Sequence, residues 1–138
     1  MRQDELMMND WVEYGNIRAQ VNSLTGNSDM IGICYTDSGN NICFKFVSTI
    51  SLEPIPIDKD ILIFNRFSPG MYNICDLGNG KYIEYYGHEH RVKVWWKGVD
   101  EWDNHSEVKD LIFQGNATYV HELQHVLQLC GIDKKIKL

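Results

Sequence analysis

Apolar positions along the first segment of the chain follow helical spacing. Between residues 3 and 24 they recur at steps of one, three or four, which predicts an N-terminal helix. Gly15 is a candidate break between two helices, and "TGNSD" at 25–29 predicts the end of the segment. The apolar positions of this segment are Leu6, Met7, Trp11, Tyr14, Ile17, Val21 and Leu24.

Short β-branched and aromatic runs with turn signals between them fill residues 30–98. Among those turn signals, "DSGNN" lies between two strand-like runs and predicts a hairpin. The segment therefore predicts an antiparallel meander with one longer excursion. The runs are "MIGICYT", "NICFKFVSTISL", "DILIFNRF", "KYIEYYG" and "HRVKVWWKG".

A second helical pattern follows "VDEWDNHSE", which is interpreted as a polar connection. The segment "NATYVHELQHVLQLCG" at 116–131 predicts a helix that Asn116 caps and Gly131 ends. The order of helix, strands and helix predicts an α+β fold. The length of 138 residues favours one domain over 1–138.

Composition removes several classes of partner. The formal net charge is −6 and no basic cluster stands out, so DNA and other nucleic acids are not expected as partners. No apolar run approaches the roughly 20 residues of a membrane span, and the N-terminus lacks the apolar region of a signal peptide. The four cysteines form no CxxC pair, which favours free thiols or a metal ligand over disulfides. A cytoplasmic protein is expected.

The sequence "HELQH" at 121–125 carries the candidate chemistry. Residues i and i+4 lie on one face of a helix, so His121 and His125 can direct their imidazoles at one metal ion. Glu122 lies about 100° around the helix and can act as general base toward a metal-bound water. The neighbouring positions are apolar, and an apolar helix seldom keeps His, Glu and His by chance. The pattern therefore predicts a metal-dependent hydrolase.

A third ligand has few sources after the motif. Cys130 lies about half a turn off the ligand face, which favours a place in the core. The third ligand is therefore expected upstream. His88 and His90 have strand spacing beside charged residues and His105 lies in a polar stretch, so solvent exposure is the simpler interpretation of all three. The upstream candidates are Cys34, Cys43, Cys75, His88, His90 and His105.

Four further segments occur in an order typical of one enzyme family. "MIGICYTDSG" follows the predicted first helix, "LIFNRF" precedes a cysteine in "NICDLG", and "HRVKVWWKGVD" comes before the HELQH helix. In this order the chain resembles the peptide deformylases, over roughly residues 5–131. The sequence departs from the family pattern around the cysteine, where only Cys75 is retained, and in the helix, where Gln124 and Gln128 replace the usual residues.

The resemblance implies a particular metal centre. Its ligands would be Cys75, His121 and His125, with a water in the fourth position and Glu122 as the base. The metal would be one Fe²⁺ or Zn²⁺, for which Ni²⁺ or Co²⁺ can substitute. The fold implied is the family's α+β arrangement, with an N-terminal helix, antiparallel sheets and a central C-terminal metal-binding helix.

The resemblance also implies the surroundings of the metal. Asp37 stands in the place of a family glutamine that polarises the substrate oxygen, where a carboxylate would repel a developing oxyanion. The backbone N–H of Asp76 would then be the remaining oxyanion donor. The peptide would add as a strand beside residues 30–32. The implied substrate-binding residues are Met30, Ile31 and Gly32 for the peptide backbone, and Ala117 and Thr118, equally well explained as helix core, for the methionine side chain.

The reaction implied is hydrolysis of the N-formyl group of N-formylmethionyl peptides or nascent chains, with the ribosome as a further candidate partner. Two alternatives remain open. One is another small HExxH metallopeptidase whose third ligand is a histidine. The other is a non-enzymatic descendant that binds metal or peptide without turnover.

Overall fold

Two antiparallel sheets and two short α-helices make up the chain in the computed structural model, which describes residues 1–26, 29–70, 72–100 and 106–138. Short 3₁₀ turns lie at Gln3–Glu5 and Thr49–Ser51. None of the helices in these ranges is long and apolar enough to cross a membrane. The elements are β1 Trp11–Tyr14, β2 Ile17–Leu24, β3 Met30–Thr36, β4 Ile42–Ser48, β5 Leu52–Pro54, α1 Lys59–Phe64, β6 Asn73–Gly78, β7 Lys81–Tyr86, β8 Arg91–Asp100, β9 Ser106–Asn116 and α2 Val120–Leu129.

The chain divides into two compact units. The first comprises Met1–Pro56 and Tyr119–His121, and the second comprises Ile57–Thr118 and Glu122–Leu138. The prediction of a single domain over residues 1–138 stays a prediction.

The first unit is built on a five-stranded antiparallel sheet with the order β4-β3-β2-β1-β5. Strands β1 and β2 form a hairpin in which Val12 lies opposite Ala19. Strands β3 and β4 form a second hairpin through residues 37–41, as the sequence "DSGNN" predicts. Alternate residues of these strands point to one buried face, and with Leu6, which precedes β1, they form the core of the unit: Val12, Ala19, Val21, Ile31, Ile33, Val47 and Leu52.

The second unit contains a four-stranded antiparallel meander, β6-β7-β8-β9. Cys75, Ile83 and Val94 lie opposite one another across β6, β7 and β8 and share one buried face of the sheet. Tyr85 and Val92 form the next row of that face. The alternation of residues in β7 therefore decides which of its tyrosines is buried.

The α+β prediction with an N-terminal helix and a central metal-binding helix is wrong. The chain is mostly antiparallel β-sheet, and its two α-helices span only six and ten residues. The segment predicted as the first helix forms β1 and β2 instead. Gly15, with φ of 60°, and Asn16 are the two-residue loop of that hairpin. Its apolar positions fit helical spacing by coincidence.

Three other elements differ from the predictions. The run "DILIFNRF" is not a strand but contains α1, which begins after Asp58, whose Oδ1 accepts a hydrogen bond of 2.8 Å from the Ile61 N–H. Strand β9 was not predicted, because its residues 106–116 are mostly polar. The last helix begins at Val120 rather than after Asn116, which lies in β9.

The predicted end of the last helix is confirmed. Gly131 has φ of +65°, a conformation that glycine adopts without strain. Its N–H donates to the Gln128 carbonyl at 3.0 Å, and the Ile132 N–H donates to the Leu127 carbonyl at 2.9 Å. This paired arrangement satisfies the last carbonyls of α2 and ends the helix.

Candidate functional site

All five residues of HELQH lie in α2, as predicted. The His121 side chain is buried, and its ring stacks nearly parallel to the Tyr119 ring, with centroids 6.0 Å apart. Glu122 and His125 are half-buried. Because the segment is an α-helix, the two histidines are one turn apart along it.

Glu122 holds the start of α2. Its Oε2 accepts a hydrogen bond of 2.7 Å from the Thr118 N–H. The bond ties the first turn of α2 to the chain two residues before the helix begins. A carboxylate in the first turn also interacts favourably with the helix dipole. The residue predicted as general base therefore has a structural role that the motif did not indicate.

Tyr85 is a member of this neighbourhood that the sequence analysis missed. Its hydroxyl donates to the Ala117 carbonyl at 2.9 Å and lies 3.3 Å from His90 Nδ1. Burial raises the pKa of the Tyr85 hydroxyl to about 12, and the negative charge of Glu122 adds to this rise. A neutral phenol thus lies near the candidate base. The signal was its place in the run "KYIEYY", two residues after the buried Ile83.

Cys75 lies in the core of the second unit rather than in a polar pocket. It is 2% exposed, and its Sγ lies 3.8 Å from the Asn65 carbonyl oxygen and 3.6 Å from that of Asp76. Burial raises the pKa of the Cys75 thiol, although the nearby Lys134 ammonium acts in the opposite direction. A thiol with a raised pKa is a weaker metal ligand, because metals bind the thiolate.

The helix face of His125 differs from the face that packs in the core. Leu123, Val126 and Leu127 are buried, whereas His125 lies about 160° around the helix from Leu123. Two imidazoles on one helix fit the donor preference of Zn²⁺ or Fe²⁺. However, within the described ranges no group of three or more His, Cys, Asp or Glu side chains lies close enough to hold a metal ion.

Two of the alternative third ligands, His88 and His90, do not lie on a strand. His88 and His90 occupy the turn between β7 and β8 and are exposed, as expected for solvated side chains. Their predicted strand spacing is wrong, since His90 has φ of 51°. His105 lies outside the described residues. The remaining cysteines, all half-buried free thiols, are Cys34, Cys43 and Cys130.

Asp37 stabilises the β3–β4 turn. Its Oδ1 accepts hydrogen bonds from the N–H groups of Gly39 and Asn41, both at 2.9 Å. These backbone bonds hold the pKa of the Asp37 carboxyl below its usual range. The Asp37 carboxylate therefore serves to stabilise its own turn. In its ionised form it repels an oxyanion rather than stabilising it.

Asp76 lies on the exposed face of β6, where its Oδ1 accepts a hydrogen bond of 2.8 Å from the Gly78 N–H. It lines a groove of about 480 Å³ on the second unit. Three lysines share that groove, so its charge is mainly positive. The other lining residues are Ile74, Gly80, Lys81, Tyr82, Lys97 and Lys109.

The residues expected to bind a peptide backbone are already paired. Ile31 and Gly32 have partners in both β2 and β4, and Met30 pairs with Ser48. The backbone of Ile31 and Gly32 therefore has no open edge for an added strand. Gly32 has a packing role instead, because a Cβ there would lie 2.7 Å from the Ser23 Cβ.

Ala117 and Thr118 connect β9 to α2. Ala117 is fully buried, its N–H donates to the His90 carbonyl at 2.7 Å, and its carbonyl accepts from Tyr85. The Thr118 carbonyl accepts a hydrogen bond of 3.0 Å from the Ile57 N–H. Neither residue lies in the helix, and these contacts favour a structural role in the connection before α2 over the substrate-pocket interpretation.

Comparison with protein-family models, with curated proteins and with solved structures found no match to this chain. The likeness to the deformylases thus rests on the short motifs alone.

Proposed function

We propose that the chain is a metal-dependent hydrolase whose HELQH residues bind the metal and activate water. One observation carries the proposal: the whole motif lies within α2, so His121 and His125 follow one another at one helical turn. When bound, the metal would lower the pKa of a water molecule. Glu122 would take the proton from that water, and Tyr85 would keep its own proton nearby because of its raised pKa.

The substrate part of the proposal comes from the sequence resemblance. It is the N-formyl group of N-formylmethionyl peptides, released as formate in the cytoplasm. Cys75 is retained as a candidate third ligand to be tested. The Cys75 thiol is buried and its pKa is raised, and both disfavour the thiolate that a metal binds. A histidine or the substrate would then complete the coordination.

The test combines metal content with formate release from a formyl-methionyl tripeptide, on protein prepared under reducing conditions and loaded with Zn²⁺, Co²⁺ or Fe²⁺. We expect about one metal per chain in the wild type and less than a tenth of that in His125→Ala. His88→Ala is the matched control, because His88 is an exposed histidine of the same unit. Cys75→Ala with full metal would remove the cysteine from the ligand set.

Glu122→Gln separates chemistry from metal binding. We expect it to keep the metal and to lose formate release by at least a hundredfold, within the usual contribution of a general base. Glu89→Gln is the control, because Glu89 is an exposed glutamate in the β7–β8 turn. Full activity in Glu122→Gln would contradict the mechanism, and a metal-loaded wild type that releases no formate would contradict the substrate.

A second candidate function is the binding of an N-terminal peptide without turnover. It is favoured by the hydrogen bond that ties the Glu122 carboxylate to the Thr118 N–H, and by the lack of a three-residue metal group within the described ranges. A wild type that takes up none of the three metals would support this alternative over the hydrolase.

A further inference from the structure

The outermost strand of the first sheet exposes a row of large apolar side chains. In β4, Ile42, Phe44 and Phe46 are 69%, 69% and 59% exposed. Because side chains alternate along a strand, these three residues lie on one face. A contiguous apolar row of this kind often marks an interaction surface.

The neighbouring strand does not cover this row. The residues of β3 opposite Ile42, Phe44 and Phe46 are small or polar: Thr36, Cys34 and Gly32. A Cβ at position 32 would already lie 3.3 Å from the Phe46 ring. The side chains of β3 beside the aromatic rings are therefore too small to cover them, and most of the ring area stays exposed.

Strand β4 carries one charged side chain, which lies outside the apolar row. Natural edge strands carry charged side chains, often lysine, that discourage pairing with another chain. Lys45 is the charged residue of β4, and it points to the other face. Its Nζ lies 3.1 Å from the Tyr14 hydroxyl and 5.1 Å from the centroid of that ring. In the sheet order, β4 is the terminal strand and follows β3 alone.

We propose that β4 pairs antiparallel with β4 of a second copy of this chain, about a two-fold axis at Phe44. The pattern of the strand is self-complementary in this register. Phe44 lies opposite the partner subunit's Phe44, and Ile42 lies opposite the partner subunit's Phe46. All three apolar residues then remain on one face, because the paired positions keep the same alternation.

The charges favour the same register. Pairing about Phe44 places Lys45 opposite the partner subunit's Cys43. Pairing about Lys45 would place the two ammonium groups directly opposite each other, which is destabilising. With an axis at Cys43, Phe46 would have no apolar residue of the partner subunit opposite it. Of the three axes near the middle of β4, the one at Phe44 therefore matches both shape and charge.

The exposed apolar row supplies part of the area of a specific dimer. With about 200 Å² per phenylalanine, the exposed fractions of Phe44 and Phe46 give roughly 500 Å² over two copies. That is about a third of a standard interface of about 1,600 Å². Ile42 and the paired backbone of two seven-residue strands add to it.

Analytical ultracentrifugation over a concentration series tests the pairing. We expect a dimer for the wild type and at least a hundredfold weaker association for Phe44→Lys. Phe64→Lys is the matched control and should remain dimeric, because Phe64 is 65% exposed on α1. A monomeric wild type at about 100 µM, an assembly larger than two, or a dimeric Phe44→Lys would overturn the proposal.

Cross-linking tests the position of the axis. In a Cys43→Ser background, Phe44→Cys should form an intermolecular disulfide under mild oxidation, because directly opposite Cα atoms lie about 4.5–5.5 Å apart, within the roughly 4.4–6.8 Å that a disulfide spans. Ile42→Cys should not, because it faces the partner subunit's Phe46. Equal cross-linking of both variants, or none at position 44, would overturn the two-fold pairing at Phe44.

Discussion

Replacing Glu122 by alanine and by glutamine measures how much the carboxylate contributes to folding, separately from any catalysis. Alanine removes the acceptor of the Thr118 N–H, which is 2.7 Å away. A hydrogen bond to a charged group contributes about 1.5–3 kcal/mol, and a carboxylate in the first helical turn adds about 0.3–1 kcal/mol. Glu122 is half-buried, so solvent reduces both contributions. We expect Glu122→Ala to lower the free energy of unfolding by about 2 kcal/mol.

Glutamine keeps an oxygen that can accept the same hydrogen bond but loses the charge. The expected cost of Glu122→Gln is therefore smaller, about 0.5–1 kcal/mol. Urea unfolding followed by circular dichroism measures both values. With a urea slope of about 2 kcal/mol per molar, alanine should shift the midpoint by about 1 M and glutamine by less than half of that.

Glu89→Ala and Glu89→Gln provide the comparison, because Glu89 is exposed and pairs with Arg91 at the surface at 2.9 Å. Such pairs contribute about 0–1 kcal/mol. If Glu122→Ala unfolds at the same urea concentration as the wild type, the contact with Thr118 does not stabilise α2 and the reasoning fails. Loss of hydrolysis in Glu122→Gln at nearly wild-type stability would then be a purely chemical effect.

Three further predictions follow from single contacts. Asn65→Ala should lower the free energy of unfolding by about 2–4 kcal/mol, because the buried side chain bonds the Ile61 carbonyl and both backbone groups of Lys137, each at 2.8 Å; urea unfolding against Asn116→Ala checks it. The stability that Tyr85 contributes should be full below pH 10, its unfolded pKa, and be lost as pH rises to about 12, by about 3 kcal/mol in total; urea midpoints between pH 9 and 12 should fall less steeply in Tyr85→Phe, and an equal slope would contradict the assignment. Cys75 should react with a disulfide reagent at pH 8 more slowly than the half-buried thiols; a fast phase that disappears in Cys75→Ala would refute this.

The strands that the sequence predicts correctly are short β-branched or aromatic runs between turn signals. Residues 30–36 and 90–98 are runs of this kind, and they lie in or overlap β3 and β8. The N-terminal error comes from the spacing of the apolar residues. Over 3–24 the apolar residues satisfy helical spacing, but the pairing of β1 with β5 and of β2 with β3 makes the segment two strands. Such long-range pairing is not encoded in local spacing.

The candidate site shows the same limit. The end of α2 at Gly131 is a local signal and was predictable. Tyr85 faces the core, and the Tyr86 hydroxyl donates to the Glu84 carboxylate. Which of the two tyrosines is buried depends on the register of β7 against β8. A shift of one residue would exchange the two tyrosines. The neighbours of Glu122 could therefore be found only once the pairing of the second sheet was known.

His125 decides between the two interpretations of α2. A helix that only needs a stable start requires Glu122, whose carboxylate accepts a hydrogen bond from the Thr118 N–H. A half-buried imidazole in the middle of α2, about 160° from the buried Leu123, contributes little to the core. If the motif is structural, saturating Zn²⁺ should leave the urea midpoints of the wild type and of His125→Ala unchanged. If it binds metal, saturating Zn²⁺ should raise the urea midpoint of the wild type and leave that of His125→Ala unchanged.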